Sequence, residues 1–254
     1  MANLNGKNVI ITGAAGGLGG EIARAAAAAG AAVAIFDVKG VDEAIANLKQ
    51  SGFKAVGVTV DVRDGKAVAA ATDEVARALG GVHILIAAAG GSLGTPRDLD
   101  DISEEDLDFV LDVNIKGTFN CARAAISHMK QNGGGSIVTF SSIGGRSASP
   151  VTGVPYAAAK AGLLGLTRRL AREVGNANIR VNAIAPGLFL TDRLQGMFDA
   201  LPEAERKEVL DSIPLGRMPQ LRECVEPVLF LASDESSYIT GVVLDVNGGR
   251  FMAG

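Results

Sequence analysis

Short apolar, often β-branched runs alternate along the chain with longer stretches in which apolar residues recur every three or four positions. The runs at 8–11, 32–36, 55–60, 82–86, 136–140, 179–184 and 242–246 predict strands. The longer stretches predict helices over 18–29, 41–50, 64–79, 103–129, 156–174 and 223–232, with 188–213 helix-forming but irregular. Local chemistry supports several ends: Gly30 stops the first helix, Asp64 can cap the third, and Ser103 with Asp106 resembles a capping box. Most of the strand runs are apolar throughout, the pattern of a strand buried on both faces. The expected fold is therefore α/β, a doubly wound (Rossmann-type) parallel sheet of about seven strands with helices on both faces and right-handed crossovers. No linker or repeat divides the chain, so residues 1–254 read as a single dinucleotide-binding and catalytic domain, with a substrate lid at about 188–215.

The first strand runs into Thr12-Gly13-Ala14-Ala15-Gly16-Gly17-Leu18-Gly19. Gly13, Gly17 and Gly19 permit a tight turn, and the helix opening at Leu18 can point backbone N–H groups at a pyrophosphate. The spacing is not Gly-x-Gly-x-x-Gly, so that fingerprint is not claimed. Asp37 ends the second strand, where a carboxylate can accept hydrogen bonds from an adenosine ribose and repel a 2′-phosphate. Further along, Tyr156 and Lys160 lie four residues apart on one helix and share a face. A phenol titrates near pH ~10, and an adjacent ammonium is expected to lower that value towards the range of a general acid or base. Ser142 closes an apolar strand and precedes a glycine-rich loop leading to Tyr156. Taken alone, a Tyr-x-x-x-Lys is an ordinary amphipathic helix pair; its company gives it chemical meaning.

Composition narrows the class. A chain of 254 residues with net charge −4 gives no electrostatic reason to expect nucleic acid or an anionic membrane as partner, and no apolar run is long enough to span a bilayer. The N-terminal residues show no basic segment followed by a long apolar one, so a cytoplasmic, reducing setting is the expectation. Cys121, Cys224, His83 and His128 are too scattered for a metal site, and no metal is expected.

Together, Thr12-Gly-x-x-x-Gly17-x-Gly19, Asn114, Ser142 and Tyr156-x-x-x-Lys160 resemble the short-chain dehydrogenase/reductase family over almost the whole chain. The resemblance implies that Tyr156 exchanges a proton with the substrate oxygen and that Ser142, rather than Ser141, hydrogen-bonds the same oxygen. Lys160 would bind the nicotinamide ribose and tune the phenol, and Asn114 would hold a water in a proton relay. Asp61 and Val62 resemble the pair that contacts adenine, and Ala89 and Gly90 line the cofactor path. Pro186, Gly187 and Thr191 resemble the segment that holds the nicotinamide. The family's usual Asn-Asn-Ala-Gly is replaced by Ala87-Ala88-Ala89-Gly90, a loss of amides expected to be compensated by packing.

The implied reaction is reversible hydride transfer between NAD and a small-molecule secondary alcohol or ketone. A 3-oxoacyl-thioester reductase is an alternative inside the family, and a non-catalytic dinucleotide-binding sensor is one outside it. The resemblance, together with the apolar end Phe251-Met252, implies a homotetramer. Leu188, Phe189, Leu190, Leu194, Met197, Phe198 and Leu201, with Val151 and Val154, form either an apolar substrate pocket or the face of a helix packed on the core.

Overall fold

The computed structural model describes residues 2–148, 152–190, 192–199 and 202–253, without the side chains of 192–194 and 197. Thr191, Val151, Leu201 and the side chains of Leu194 and Met197 therefore lie outside the described residues. In chain order the elements are β1 (Asn8–Thr12), α1 (Gly17–Ala28), β2 (Ala32–Asp37), α2 (Val41–Gln50), β3 (Ala55–Thr59), α3 (Gly65–Leu79) and β4 (Ile84–Ala87). The chain continues through α4 (Glu104–Leu111), α5 (Gly117–Gln131), β5 (Gly135–Phe140), α6 (Val154–Val174) and β6 (Ile179–Pro186). It ends with α7 (Asp192–Asp199), α8 (Glu203–Asp211), α9 (Arg222–Ala232) and β7 (Val243–Val246).

All seven strands pair in parallel in the order β3-β2-β1-β4-β5-β6-β7. Within the apolar strand runs a period of two is concealed, because successive side chains feed opposite layers. Val9 and Ile11 of β1 join Ile22 of α1, Val41 and Ile45 of α2 and Val228 of α9, whereas Ile10 joins Val68 and Val75 of α3 and Ala122 and Met129 of α5. Each of these isoleucines is at most 9% exposed, a burial worth roughly 1.5–3 kcal/mol per side chain. The predicted caps form: Asp64 accepts from the N–H groups of Lys66 and Ala67, and Ser103 and Asp106 make the reciprocal capping box.

The helix expected over 103–129 is interrupted. Between α4 and α5, residues Asp112–Lys116 make one π turn, which places one extra residue in the ladder and rotates the faces of α5 relative to those of α4. Side chains use the carbonyls that the wider turn frees: Asn114 Nδ2 donates to the Val110 carbonyl at 2.8 Å, and Thr118 Oγ1 donates to the Asn114 carbonyl at 2.7 Å.

Candidate active site

The strand order reverses between β1 and β4, since the chain first builds outward through β2 and β3 and then returns to the other side of β1. At such a switch point the loops leaving neighbouring strands diverge and open a crevice beyond their C-terminal ends. Gly13 follows β1 with φ 67°, and a Cβ there would stand 2.8 Å from the Ala89 Cα in the loop after β4. Gly19 is equally constrained, because its Cβ would overlap the Gly13 carbonyl oxygen. The start of α1 receives no side-chain cap and carries no acid in its first turn. Its orphan N–H groups and positive dipole end thus form a cradle suited to a pyrophosphate.

Asp37 is held ready beside this turn. Its Oδ2 accepts from the Ala15 N–H at 3.0 Å and its Oδ1 from the Val38 N–H at 2.8 Å. Gly13, Asp37, Asp61, Val62, Ala89 and Gly90 line one cavity of about 470 Å³, so six residues selected from separate stretches converge. Arg63 also lines it and was not singled out from the sequence, where an Asp-x-Arg at a strand end is a commonplace signal. It grips the Asp61 carboxylate, with Nε and Nη2 at 2.9 and 2.6 Å from Oδ2, and holds that carboxyl below its ordinary range. Its guanidinium stacks 5.1 Å from the Phe109 ring centre.

A second cavity of about 320 Å³ shares Ala88 and Gly90 with the first and is lined by Leu18, Ser142, Tyr156, Lys160, Pro186 and Gly187. The geometry separates the two serines. Ser141 is 3% exposed and its hydroxyl donates to the Lys160 carbonyl at 2.7 Å, locking the end of β5 against α6. Ser142 caps the short turn Ile143–Gly145, accepting from the Gly144 N–H at 3.1 Å, and its side chain interacts with the Tyr156 phenol.

In the ligand-free site the phenol's titration follows its burial. Burial pushes the Tyr156 phenol above its ordinary value, opposed by Ser142. The Lys160 ammonium lies 5.5 Å from the Tyr156 ring centre and donates to the Phe140 carbonyl at 2.8 Å, and complete burial pushes its own pKa down to about 7. The Phe140 carbonyl thus anchors the ammonium while it stays beside the Tyr156 ring, as the four-residue spacing on α6 predicts.

Asn114 is fully buried and clamps the loop after β4: Nδ2 donates to the Gly91 carbonyl at 3.0 Å and Oδ1 accepts from the Gly91 N–H at 3.0 Å. The Ala89 N–H donates to Thr12 Oγ1 at 2.9 Å. In place of the missing amides at Ala87 and Ala88, these alanines pack into the two core layers as expected, and the bonds from Thr12 and Asn114 to the following loop are an additional, polar support. Leu188 and Phe189 line the cavity, and Phe189, only 5% exposed, also belongs to the core. Val154 is 57% exposed and lines neither cavity. Arg250 is a further wall residue that pattern reading passed over. Both cysteines are free and buried, with thiols pushed up to about 12 by burial. Among the described residues no cluster of histidine, cysteine and acidic side chains is arranged for a metal ion, and no helix is long and apolar enough to cross a membrane.

A family model described as Enoyl-(Acyl carrier protein) reductase matches residues 13–250. A short-chain type dehydrogenase/reductase of uncharacterised activity from Sinorhizobium fredii is 42% identical, over 98% of this chain and 99% of its own. The chain belongs to the short-chain dehydrogenase/reductase family. It is 38% identical to a 3-oxoacyl-[acyl-carrier-protein] reductase of Thermotoga maritima, over 97% of this chain and 98% of that one. Among solved structures, a gluconate 5-dehydrogenase of Burkholderia cenocepacia in complex with NADP and tartrate superposes with a TM-score of 0.90 at 33% identity, covering 99% of this chain and 98% of that one. Short-chain dehydrogenases/reductases bind a nicotinamide dinucleotide, and the cradle between Gly13, α1 and Ala89 fits that group.

Proposed function

We propose that the protein transfers hydride reversibly between NAD and a secondary alcohol or its ketone, with Tyr156 as acid/base. The observation that carries this reading is the opening of Ser142, Tyr156 and Lys160 onto one cavity that joins the dinucleotide cradle at Ala88 and Gly90. The dinucleotide, once bound, supplies the hydride acceptor or donor. The Tyr156 hydroxyl gives a proton to the substrate oxygen in reduction and its phenolate takes one in oxidation, and the Ser142 hydroxyl orients that oxygen. Lys160, anchored on the Phe140 carbonyl, stands where a ribose hydroxyl and the phenol can both be reached, and Asn114 holds the loop beneath. Pro186, Gly187 and Thr191 would hold the nicotinamide, and 188–215 would cover the substrate. A steady-state assay of nicotinamide absorbance against a panel of alcohols and ketones tests the reading; no turnover with any of them overturns it.

The preference for NAD over NADP rests on Asp37. Its carboxylate is fixed by two backbone N–H groups, keeps lone pairs for ribose hydroxyls, and opposes a 2′-phosphate carrying up to two negative charges. Arg63, which lines the same cavity, is engaged with Asp61, and Lys7 stands before β1 at the opposite edge of the sheet, paired with Asp234 at 3.0 Å. Lys39, exposed beyond the strand end, offsets the carboxylate only in part. The NADP held by the gluconate 5-dehydrogenase makes this a discriminating test. The expected result is a kcat/KM with NAD higher by about tenfold or more, and a shift towards NADP in Asp37→Ser. Equal or better efficiency of the wild type with NADP removes Asp37 from this role.

The reductase relatives named for 3-oxoacyl-[acyl-carrier-protein] support a second reading, reduction of a 3-oxoacyl thioester, as does the ending Val246-Asn247-Gly248-Gly249. Faster turnover of an acyl thioester than of simple ketones would favour it. A cytoplasmic homotetramer completes the proposal, with Leu107 and Phe119 of α4 and α5, 38% and 43% exposed, as apolar surface for a second copy. Light scattering at micromolar concentration is expected to give four chains; a monomer mass contradicts it.

A further inference from the structure

We propose that Arg250 binds a carboxylate carried by the substrate, so that the site takes hydroxy acids and oxo acids in preference to neutral alcohols and ketones. This rests on the hydride-transfer reading above and adds the substrate's charge to it. The catalytic cavity meets a neighbouring cavity of about 420 Å³ at a wall made of Gly187, Leu188, Phe189 and Arg250, and Arg250 lines both. Its base is held by its own backbone, whose N–H donates to the Asn247 carbonyl at 3.2 Å.

The charges around this wall cancel except at one position. Among the described residues no aspartate or glutamate lines the catalytic cavity, and its other cation, Lys160, is committed to the Phe140 carbonyl. Both acids of the neighbouring cavity have an arginine partner, although Asp245 keeps its buried Oδ1 without a hydrogen bond among the described residues. Arg217 grips Glu223 through Nη1 and Nη2 at 2.7 and 2.6 Å, and Arg146 pairs with Asp245 at 3.1 Å beneath the Phe251 ring. Among the described residues the Arg250 guanidinium makes neither an ion pair nor a side-chain hydrogen bond, although the residue is half-buried. The Thr152 hydroxyl, on the wall of the same cavity, makes no hydrogen bond among the described residues.

A guanidinium fork matches the two oxygens of a carboxylate, and in a partly desolvated pocket such a charge-assisted pair is about twice as strong as a neutral one. Arg250 does not line the cavity that holds Gly13 and Asp37, so it stands away from the adenosine end of the dinucleotide. It does share the catalytic cavity with Leu18, Pro186 and Gly187, and the KM of the dinucleotide is the control that separates the two anions. With the carboxylate on Arg250 and the reacting oxygen between Ser142 and Tyr156, the substrate is an acid whose hydroxyl or oxo carbon is separated from its carboxyl group.

The test compares short-chain secondary hydroxy acids with their methyl esters, for the wild type, Arg250→Gln and Arg250→Lys. In the wild type, kcat/KM is expected to favour the acid by about tenfold or more. Arg250→Gln is expected to raise KM for the acid about tenfold more than for the ester, and Arg250→Lys to recover part of the loss. Equal use of acid and ester by the wild type, or an unchanged acid-to-ester ratio in Arg250→Gln, overturns the proposal while leaving hydride transfer standing. A rise confined to the KM of the dinucleotide overturns it too, by assigning Arg250 to the cofactor. If discrimination appears only with coenzyme A thioesters, the anion is the phosphate of the pantetheine arm and the carboxylate assignment fails. Absence of turnover with every compound counts against the hydride-transfer reading instead. Quenching of NADH fluorescence in the enzyme–NADH complex by the matching oxo acid then decides the carboxylate site by itself, with binding expected in the wild type and lost in Arg250→Gln.

Discussion

Replacing Tyr156 by phenylalanine is expected to lower turnover by on the order of 10²-fold or more while the fold and dinucleotide binding persist. The ring sits on α6 with its edge in the catalytic cavity, so phenylalanine keeps the packing and loses only the hydroxyl that faces Ser142. Serine cannot take over, because its hydroxyl proton is far too weakly acidic at neutral pH to be exchanged without a partner. The pH profile derives from the same environment. Burial raises the phenol above its ordinary value in the ligand-free site, so the protonated form dominates at neutral pH. Ketone reduction, which needs the proton, should therefore hold across neutral pH and fall only at alkaline pH. Alcohol oxidation, which needs the phenolate, should rise with pH over the alkaline range. Steady-state rates in both directions, for wild type and variant, check this; near-normal activity of Tyr156→Phe with the best substrate removes the tyrosine from its role.

Gly145→Ala is expected to lower both the stability of the chain and its turnover. Gly145 ends the turn that Ser142 caps, and this turn lies directly on α6. A Cβ there would stand 2.5 Å from the Lys160 carbonyl carbon and 2.7 Å from the Ala161 amide nitrogen. Both are helix backbone, which has no rotamer to yield, so the turn must lift away from α6. Overpacking of this kind costs about 1–3 kcal/mol. The larger effect is on geometry: Ser142 rides on the turn while Tyr156 and Lys160 ride on the helix, and a displacement of about 1 Å between reacting groups can cost about 10²-fold in rate. Thermal melting and kcat/KM measured together test this. A variant with wild-type activity and melting temperature would show that the turn and the helix do not need this contact.

Much of the architecture was legible because strands and helices leave different periods in the chain. α2 begins at Val41 and ends at Gln50 as its apolar spacing predicts, and the caps at Asp64 and Ser103 work through bonds to residues two or three positions away. The π turn at Asp112–Lys116 left no such mark. Its register is set by Asn114 reaching across to Gly91, a contact between residues far apart in the chain. Gly145 likewise looks like any loop glycine until α6 is laid against it, and Arg63 and Arg250 acquire meaning only from the acids that do or do not stand beside them.

By itself the sequence determined the alternation of strands and helices, the glycine-rich turn after β1, and which side chains have the chemistry for proton transfer, because these depend on residue type and on neighbours a few positions away. Tertiary structure alone decided what those side chains face. It brought Ser142 from one loop to Tyr156 on α6, turned the Lys160 ammonium onto the Phe140 carbonyl, and paired the acids of the neighbouring cavity with Arg146 and Arg217. The reason is physical: burial and opposing charges shift a titrating group only over a few ångströms, and which groups come that close is a property of the packed chain rather than of the order of its residues.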